Sequence, residues 1–163
     1  MKIYLVRHGE AVPEEDAGSD RDRWLSRGGR DAVRVLGRLL REQGLVFEAP
    51  IDTILCSPLP RAVQTAEILA ECLEHIGVIE SLRALEPSAQ PLIASKAVLG
   101  RGKAVLVVGH EPSISRLGAF LLGGSSFPSF RTAQAYAIEE RRPTFTSRSD
   151  LNQTQPYTVD ERG

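Results

Sequence analysis

The sequence predicts an α/β fold, a three-layer α/β/α sandwich around a mostly parallel sheet. Short apolar runs of strand length, Ile3–Val6, Ile51–Cys56 and Ala104–Val108, alternate with longer segments of helical periodicity. Ile3–Val6 and Ala104–Val108 are apolar throughout rather than at every second residue, the pattern of strands covered on both faces. They end in polar groups, Arg7-His8, Ser57 and His110. In open α/β sheets ligands bind beyond the carboxyl ends of the strands, so residues far apart in sequence are expected to share one edge.

Ile3-Tyr4-Leu5-Val6 reads as a buried strand stopping at Arg7-His8-Gly9-Glu10. Glu14 to Ser26 is rich in Asp, Glu, Arg and Ser and reads as a long surface loop, with Trp24 anchoring it to the core. Unstructured loops of that length are often functional. From Gly29 to Gln43, Ala32, Val33, Val35, Leu36, Leu39 and Leu40 recur at helical spacing, and Gly44 is a stop signal. Ile51 to Cys56 is a second strand closed by Ser57-Pro58, and Pro58 and Pro60 fit a turn or a first helical turn.

A second helix, Arg61 to Glu74, carries Ala62, Thr65, Ala66, Leu69, Ala70 and Leu73 on one side. His75 follows near its end, where a histidine serves the last carbonyls or faces solvent, and it is left out of the site. Val78-Ile79 begins a weak strand leading to Leu82–Pro87, and Leu92 to Leu99 reads as a short helix. Ala104–Gly109 is the strongest strand and runs into His110-Glu111-Pro112-Ser113; Ile114 to Leu122 is a helix stopped by Gly123-Gly124. Tyr136–Ile138 reads as a strand. The polar tail, 139–163, with a weak run at Tyr157–Val159, reads as an edge hairpin or a partly disordered segment. No repeat or linker divides the chain, so residues 1–163 are expected to form a single domain.

At 163 residues, 42% hydrophobic and 25% charged with a formal net charge of -1, the composition argues against disorder, a membrane protein or a nucleic-acid binder. No secretory leader pattern or bilayer-length apolar run is present, and a cytoplasmic protein is expected. Cys56 and Cys72 lack a second thiol at metal-ligand spacing and read as small core residues.

Two histidines and two arginines, Arg61 being the second, at one sheet edge do not suit a metal, because arginine is not a ligand and no acidic or thiol partners stand at fitting spacing. They suit an anion. Two arginine forks match phosphate oxygens and hold a dianion in one orientation. A neutral histidine beside such a clamp is a nucleophile, and its attack on the phosphoryl group gives a phosphohistidine that water later removes.

Leu5-Val6-Arg7-His8-Gly9-Glu10, Ser57-Pro58-Leu59-Pro60-Arg61-Ala62-Val63-Gln64-Thr65-Ala66 and Val107-Val108-Gly109-His110-Glu111-Pro112 resemble the three signatures of the histidine phosphatase superfamily, over about residues 1 to 124. The resemblance implies a phosphoglycerate mutase-like fold without a cofactor. It implies that His8 is the nucleophile, that Arg7 and Arg61 bind the phosphoryl oxygens, and that His110 completes the pocket; Ser57 is a weaker candidate ligand. So short a chain is most similar to the SixA-type bacterial phosphohistidine phosphatases, which implies as partner a phosphohistidine-bearing phosphotransfer protein.

Larger members that hydrolyse phosphate esters place a glutamate acid after the third strand, as Leu, any residue, Glu. This chain has Leu82-Arg83-Ala84, with Glu86 two positions on as the possible general acid, and Glu10 and Asp20 as more remote candidates. Departing imidazole is readily protonated, whereas an alkoxide needs a positioned acid, so the departure favours a P–N substrate. Two other readings remain: a phosphatase of small phosphate esters, such as a sugar phosphate or nucleotide, using Glu86, and a non-catalytic phosphoprotein-binding module that kept the fold.

Overall fold

The computed structural model describes residues 1–42, 50–139 and 142–148. Strands β1 (Lys2–Arg7), β2 (Thr53–Cys56), β3 (Ile79–Ser81), β4 (Ala104–Gly109), β5 (Gln134–Glu139) and β6 (Arg142–Arg148) form one sheet in the order β3-β2-β4-β1-β5-β6. The pairs β3/β2, β2/β4 and β4/β1 are parallel, while β1/β5 and β5/β6 are antiparallel. The mostly parallel sheet is therefore present, with an antiparallel flank. An apolar run shows that a strand is covered on both faces but not which way its neighbour runs, so the antiparallel pairing of β1 with β5 carries no signal in the sequence of β1.

Side chains alternate along each strand and feed two cores. On one face Tyr4, Val6, Ile54, Leu106 and Val108 pack with Leu36, Leu40 and Leu69 of helices α2 (Arg27–Glu42) and α3 (Pro60–Cys72). On the other, Ile3, Leu5, Leu55, Val105 and Val107 pack with Val98 and Leu117 of α4 (Pro91–Val98) and α5 (Ser113–Leu122). Pro60 takes the first position of α3, where its missing N–H costs nothing, and Gly123 ends α5 with φ 71°.

Three local expectations change. Glu14–Ser26 is not one structureless loop: it holds a single helical turn, α1 (Glu14–Ala17), and a 3₁₀ turn at Asp20–Asp22, and is tied back by a bridge between Ala11 and Leu25. Its anchor is Leu25, 1% exposed, rather than Trp24, 39% exposed. Short polar turns lack an apolar face, so no helical period marks them. The strand expected at Tyr136–Ile138 is β5, and within the tail β6 pairs with it antiparallel; Tyr157–Val159 lies outside the described residues, as do Gln43 and Gly44. Cys56 is buried, whereas Cys72 is partly exposed.

The two cores set the stability expected of the fold. Leu106→Ala, at a side chain 1% exposed in the central β4, is expected to cost about 2–5 kcal/mol. Leu92→Ala, on the exposed side of α4, changes stability by no more than about 0.5 kcal/mol. Urea unfolding of the two variants measures the contrast.

Candidate active site

Adjacent parallel strands bring the opening motif to its counterpart a hundred residues on. In the β1/β4 register Arg7 stands opposite Gly109, and the His8 N–H donates to the Gly109 carbonyl at 3.1 Å. The next residues out on each strand are therefore His8 and His110, whose ring centroids lie 4.9 Å apart at 57°. Ser57 follows β2, its N–H donating to Val108 O at 3.0 Å, and the turn it begins delivers Arg61 on the first turn of α3. Arg7, His8, Arg61 and His110 line a cleft of about 380 Å³ at the carboxyl edge of the sheet. His75 lies away from it, its Nδ1 3.1 Å from the Ile51 carbonyl.

The His8 ring is held in one tautomer. Its Nδ1 lies 2.6 Å from the Gly9 carbonyl, and a carbonyl only accepts, so Nδ1 carries the proton and Nε2 carries the lone pair. Burial, with the nearby Arg61 and Arg7, lowers the His8 pKa to about 4 although the Gly9 carbonyl opposes the shift. The ring is neutral near pH 7, as a nucleophile must be. Burial lowers His110 further, to about 3, with help from His8 and Arg61. Both ring nitrogens of His110 are buried without a hydrogen-bond partner among the described residues. Unpaired buried polar atoms are costly, so a bound oxyanion that accepts from this ring relieves a cost already built into the fold.

Gly9 is fixed from three sides. Its N–H donates to Thr65 Oγ1 at 3.1 Å, and that hydroxyl donates to the Arg61 carbonyl at 2.7 Å, so one α3 side chain ties the His8 loop to the helix of Arg61. A Cβ on Gly9 would come within 2.7 Å of Val33 Cγ2 and 2.9 Å of Gly29 O. A Cβ on Gly29 would strike the backbone of Glu10. The start of α2 thus packs flush against the loop only because both positions are glycine.

Arg7 is oriented by its own bond, Nη1 to Phe130 O at 2.7 Å, while its buried Nε has no partner among the described residues. Phe130 is in turn placed by Glu111, whose Oε1 accepts from the Phe130 N–H at 2.6 Å. Arg61 is gripped by Asp20: Nη1 donates to the Asp20 carbonyl at 2.5 Å and Nη2 to Oδ2 at 3.0 Å. Arg23 completes the cluster, its Nη1 3.0 Å from Asp20 Oδ1 and its Nε donating to Val12 O at 2.7 Å.

Two sequence candidates stand apart from the cleft. Ser57 is fully buried and does not line it; Oγ accepts from the Leu59 N–H at 3.4 Å and shapes the turn into α3. Glu86 is not among the lining residues, although its neighbour Pro87 is. Its carboxylate pairs with Arg21 at 3.3 Å. The carboxylates that do line the cleft are Glu10, Asp20 and Glu111. Glu10 Oε2 accepts from Ser26 Oγ at 3.2 Å, and Glu111 from Phe130 N and Ser115 Oγ. Asp20 is held below the usual carboxylate range, chiefly by its hydrogen bond from Arg23 and with Arg61 contributing, so it carries no proton to give at pH 7. Arg23, Glu111 and Thr65 carried no site signal in the sequence. Glu111 adjoins His110, and Thr65 reads as an ordinary apolar-face residue.

Among the described residues no group of three or more His, Cys, Asp or Glu is placed to hold a metal ion, and no helix is long and apolar enough to cross a membrane. The arrangement sets the guanidinium groups of Arg7 and Arg61 around a neutral imidazole with its lone pair available.

The family model for the histidine phosphatase superfamily, branch 1, matches residues 3–86. Phosphohistidine phosphatase SixA of Escherichia coli strain K12 is 34% identical over 142 residues, covering 85% of this chain and 84% of that protein. An uncharacterized protein of Picosynechococcus is 38% identical over 121 residues, covering 70% of this chain and 68% of that one. A solved structure of the protein histidine phosphatase SixA with tungstate superposes with a TM-score of 0.80 at 28% identity, over 91% of this chain and 97% of that chain.

The depressed histidines make the fold acid-sensitive. In the unfolded chain they take up protons below about pH 6.5, whereas in the fold His8 and His110 wait until about pH 4 and 3. The unfolded state therefore binds more protons between pH 6.5 and 4, and stability falls as pH drops through that window. The His110→Asn variant is expected to lose less, by up to roughly 1.4 kcal/mol per pH unit. Denaturant titrations of both proteins from pH 7 to 4.5 measure the difference in slope.

Proposed function

The chain belongs to the histidine phosphatase superfamily, and on that premise we propose that it is a phosphohistidine phosphatase acting on phosphotransfer proteins. The observation that carries the chemistry is the His8 Nδ1–H bond to the Gly9 carbonyl, 2.6 Å, which leaves Nε2 as the attacking atom. In the first step Nε2 bonds to phosphorus while the bond from phosphorus to the substrate imidazole breaks, and that imidazole leaves as its proton arrives. In the second, water attacks the phosphohistidine, inorganic phosphate departs, and Nε2 recovers its lone pair.

Arg7 and Arg61 hold the phosphoryl oxygens, and His110, neutral with one N–H, donates to another. Such donors contribute most when they are fixed before charge shifts in the transition state, and the contacts of both arginines with Phe130 and Asp20 supply that fixing. A P–N substrate is supported by the state of the carboxylates. Glu10, Asp20 and Glu111 all accept hydrogen bonds from the fold, and Glu86 is paired with Arg21. An alkoxide leaving group would need one of them as an acid, whereas imidazole leaves without a dedicated donor. SixA of Escherichia coli, named for the same activity, supports the reading.

Rates on a phosphohistidine-bearing phosphotransfer protein, on small phosphate esters and on a nucleoside monophosphate test it. The expected kcat/KM on the phosphoprotein exceeds that on every ester by at least about a hundredfold, the contribution a positioned acid makes. A faster ester would overturn the assignment. Arg61→Ala is expected to lower kcat/KM by about a hundredfold or more, as removal of one preorganised donor does elsewhere.

A further inference from the structure

Both terminal nitrogens of Arg61 are held by a single residue, Asp20. Asp20 offers its main-chain carbonyl to Nη1 and its Oδ2 to Nη2, a two-point hold matched to the planar guanidinium. Its other oxygen, Oδ1, takes Arg23, whose Nε is tied to the Val12 carbonyl, so the hold is fixed to main chain on both sides. Ser19 Oγ donates to Asp22 Oδ2 at 2.6 Å and closes the turn that carries Asp20. Asp20 belongs neither to the strand-end motifs nor to the helices that build the core. It reaches the cleft from the Asp20–Asp22 3₁₀ turn, across 41 residues of sequence.

We infer that Asp20 is a positioning residue for phosphoryl transfer: it sets the plane and depth of the Arg61 fork, with Arg23 as its counterweight. The inference rests on the proposed role of Arg61 as an oxyanion donor. Each terminal nitrogen of Arg61 gives one N–H to Asp20 and keeps a second, and these, with Nε–H, remain for phosphoryl oxygens. Arginine has four side-chain torsions, and without Asp20 the fork samples orientations that miss the oxyanion; misplacement by about an ångström costs on the order of a hundredfold in rate. Arg23 balances the carboxylate, so that Asp20 does not cancel the charge of Arg61 toward the incoming dianion. Asp20 is half-exposed, and its contribution to global stability is correspondingly small.

The test pairs turnover with tungstate, an oxyanion inhibitor that reports on the clamp whatever the substrate. Asp20→Ala is expected to lower kcat on the phosphohistidine protein about tenfold to a hundredfold with less change in KM, and to weaken tungstate inhibition by a comparable factor. Asp20→Asn, which keeps an oxygen for Nη2, recovers part of both. Unchanged kcat and tungstate inhibition in Asp20→Ala overturn the inference. So does tighter tungstate binding, which would make Asp20 a competitor of the oxyanion. Should Asp20→Ala fail to fold, Asp20→Ser, too short to reach Arg61, decides by the same criteria. Arg61→Ala separates this inference from the reading beneath it. If tungstate inhibition survives that change, the clamp itself is wrongly assigned; if it is lost there but intact in Asp20→Ala, only the positioning role falls.

Discussion

The site depends on one short hydrogen bond, from His8 Nδ1 to the carbonyl of the next residue, Gly9. It is local in sequence, yet much of the chain holds it in place. Thr65 of α3 takes the Gly9 N–H, Val33 and Gly29 of α2 leave no room for a Cβ on Gly9, and Ser26 N donates to the Glu10 carbonyl just beyond. The β1/β4 register then sets His110 beside the ring so oriented. A carbonyl that moved would release the tautomer, and a ring protonated on Nε2 instead would present the cleft with a donor rather than a lone pair.

Burial and charge act in the same direction here. Desolvation and two nearby guanidiniums each disfavour an imidazolium, so both histidines stay neutral where a solvent-exposed pair would be partly charged. The same cations that lower the histidine pKa values would attract a phosphoryl dianion, so in the proposed reaction the electrostatics that keep His8 unprotonated also favour its target. The carboxylates of the cleft are turned to structure: Asp20 to Arg61, Glu111 to Phe130 and through it to Arg7, Glu10 to Ser26. Acidic groups spent on placing cations are not spent on donating protons, and that division suits a leaving group that needs little help.

Much of this was legible in the sequence because the relevant signals are large. Ile3–Val6 and Ala104–Val108 are unbroken apolar runs, and each stops at a histidine; strand-end chemistry in a parallel sheet converges by topology alone. Arg61 was legible because it follows the proline that opens α3. What could not be read was the polar support. Asp20 and Arg23 lie in a charged stretch whose composition is that of any solvated surface, and their roles appear only when the 3₁₀ turn folds over α3. Trp24 and Leu25 show the same limit, since one turn of backbone decides which of two apolar neighbours goes inside. Ser57 and Glu86 were named for their place beside a motif, but the first shapes the turn into α3 and the second pairs with Arg21.

The central claim is that Nε2 of His8 attacks phosphorus because Nδ1 is committed to Gly9. Rapid quenching of the protein with a ³²P-labelled phosphohistidine substrate, followed by alkaline digestion and separation of the two phosphohistidine isomers, tests it directly. The account predicts an acid-labile, alkali-stable phosphoenzyme that carries the label on His8 Nε2 and is absent from His8→Ala. Label on Nδ1, or turnover with no phosphoenzyme on His8, would contradict it.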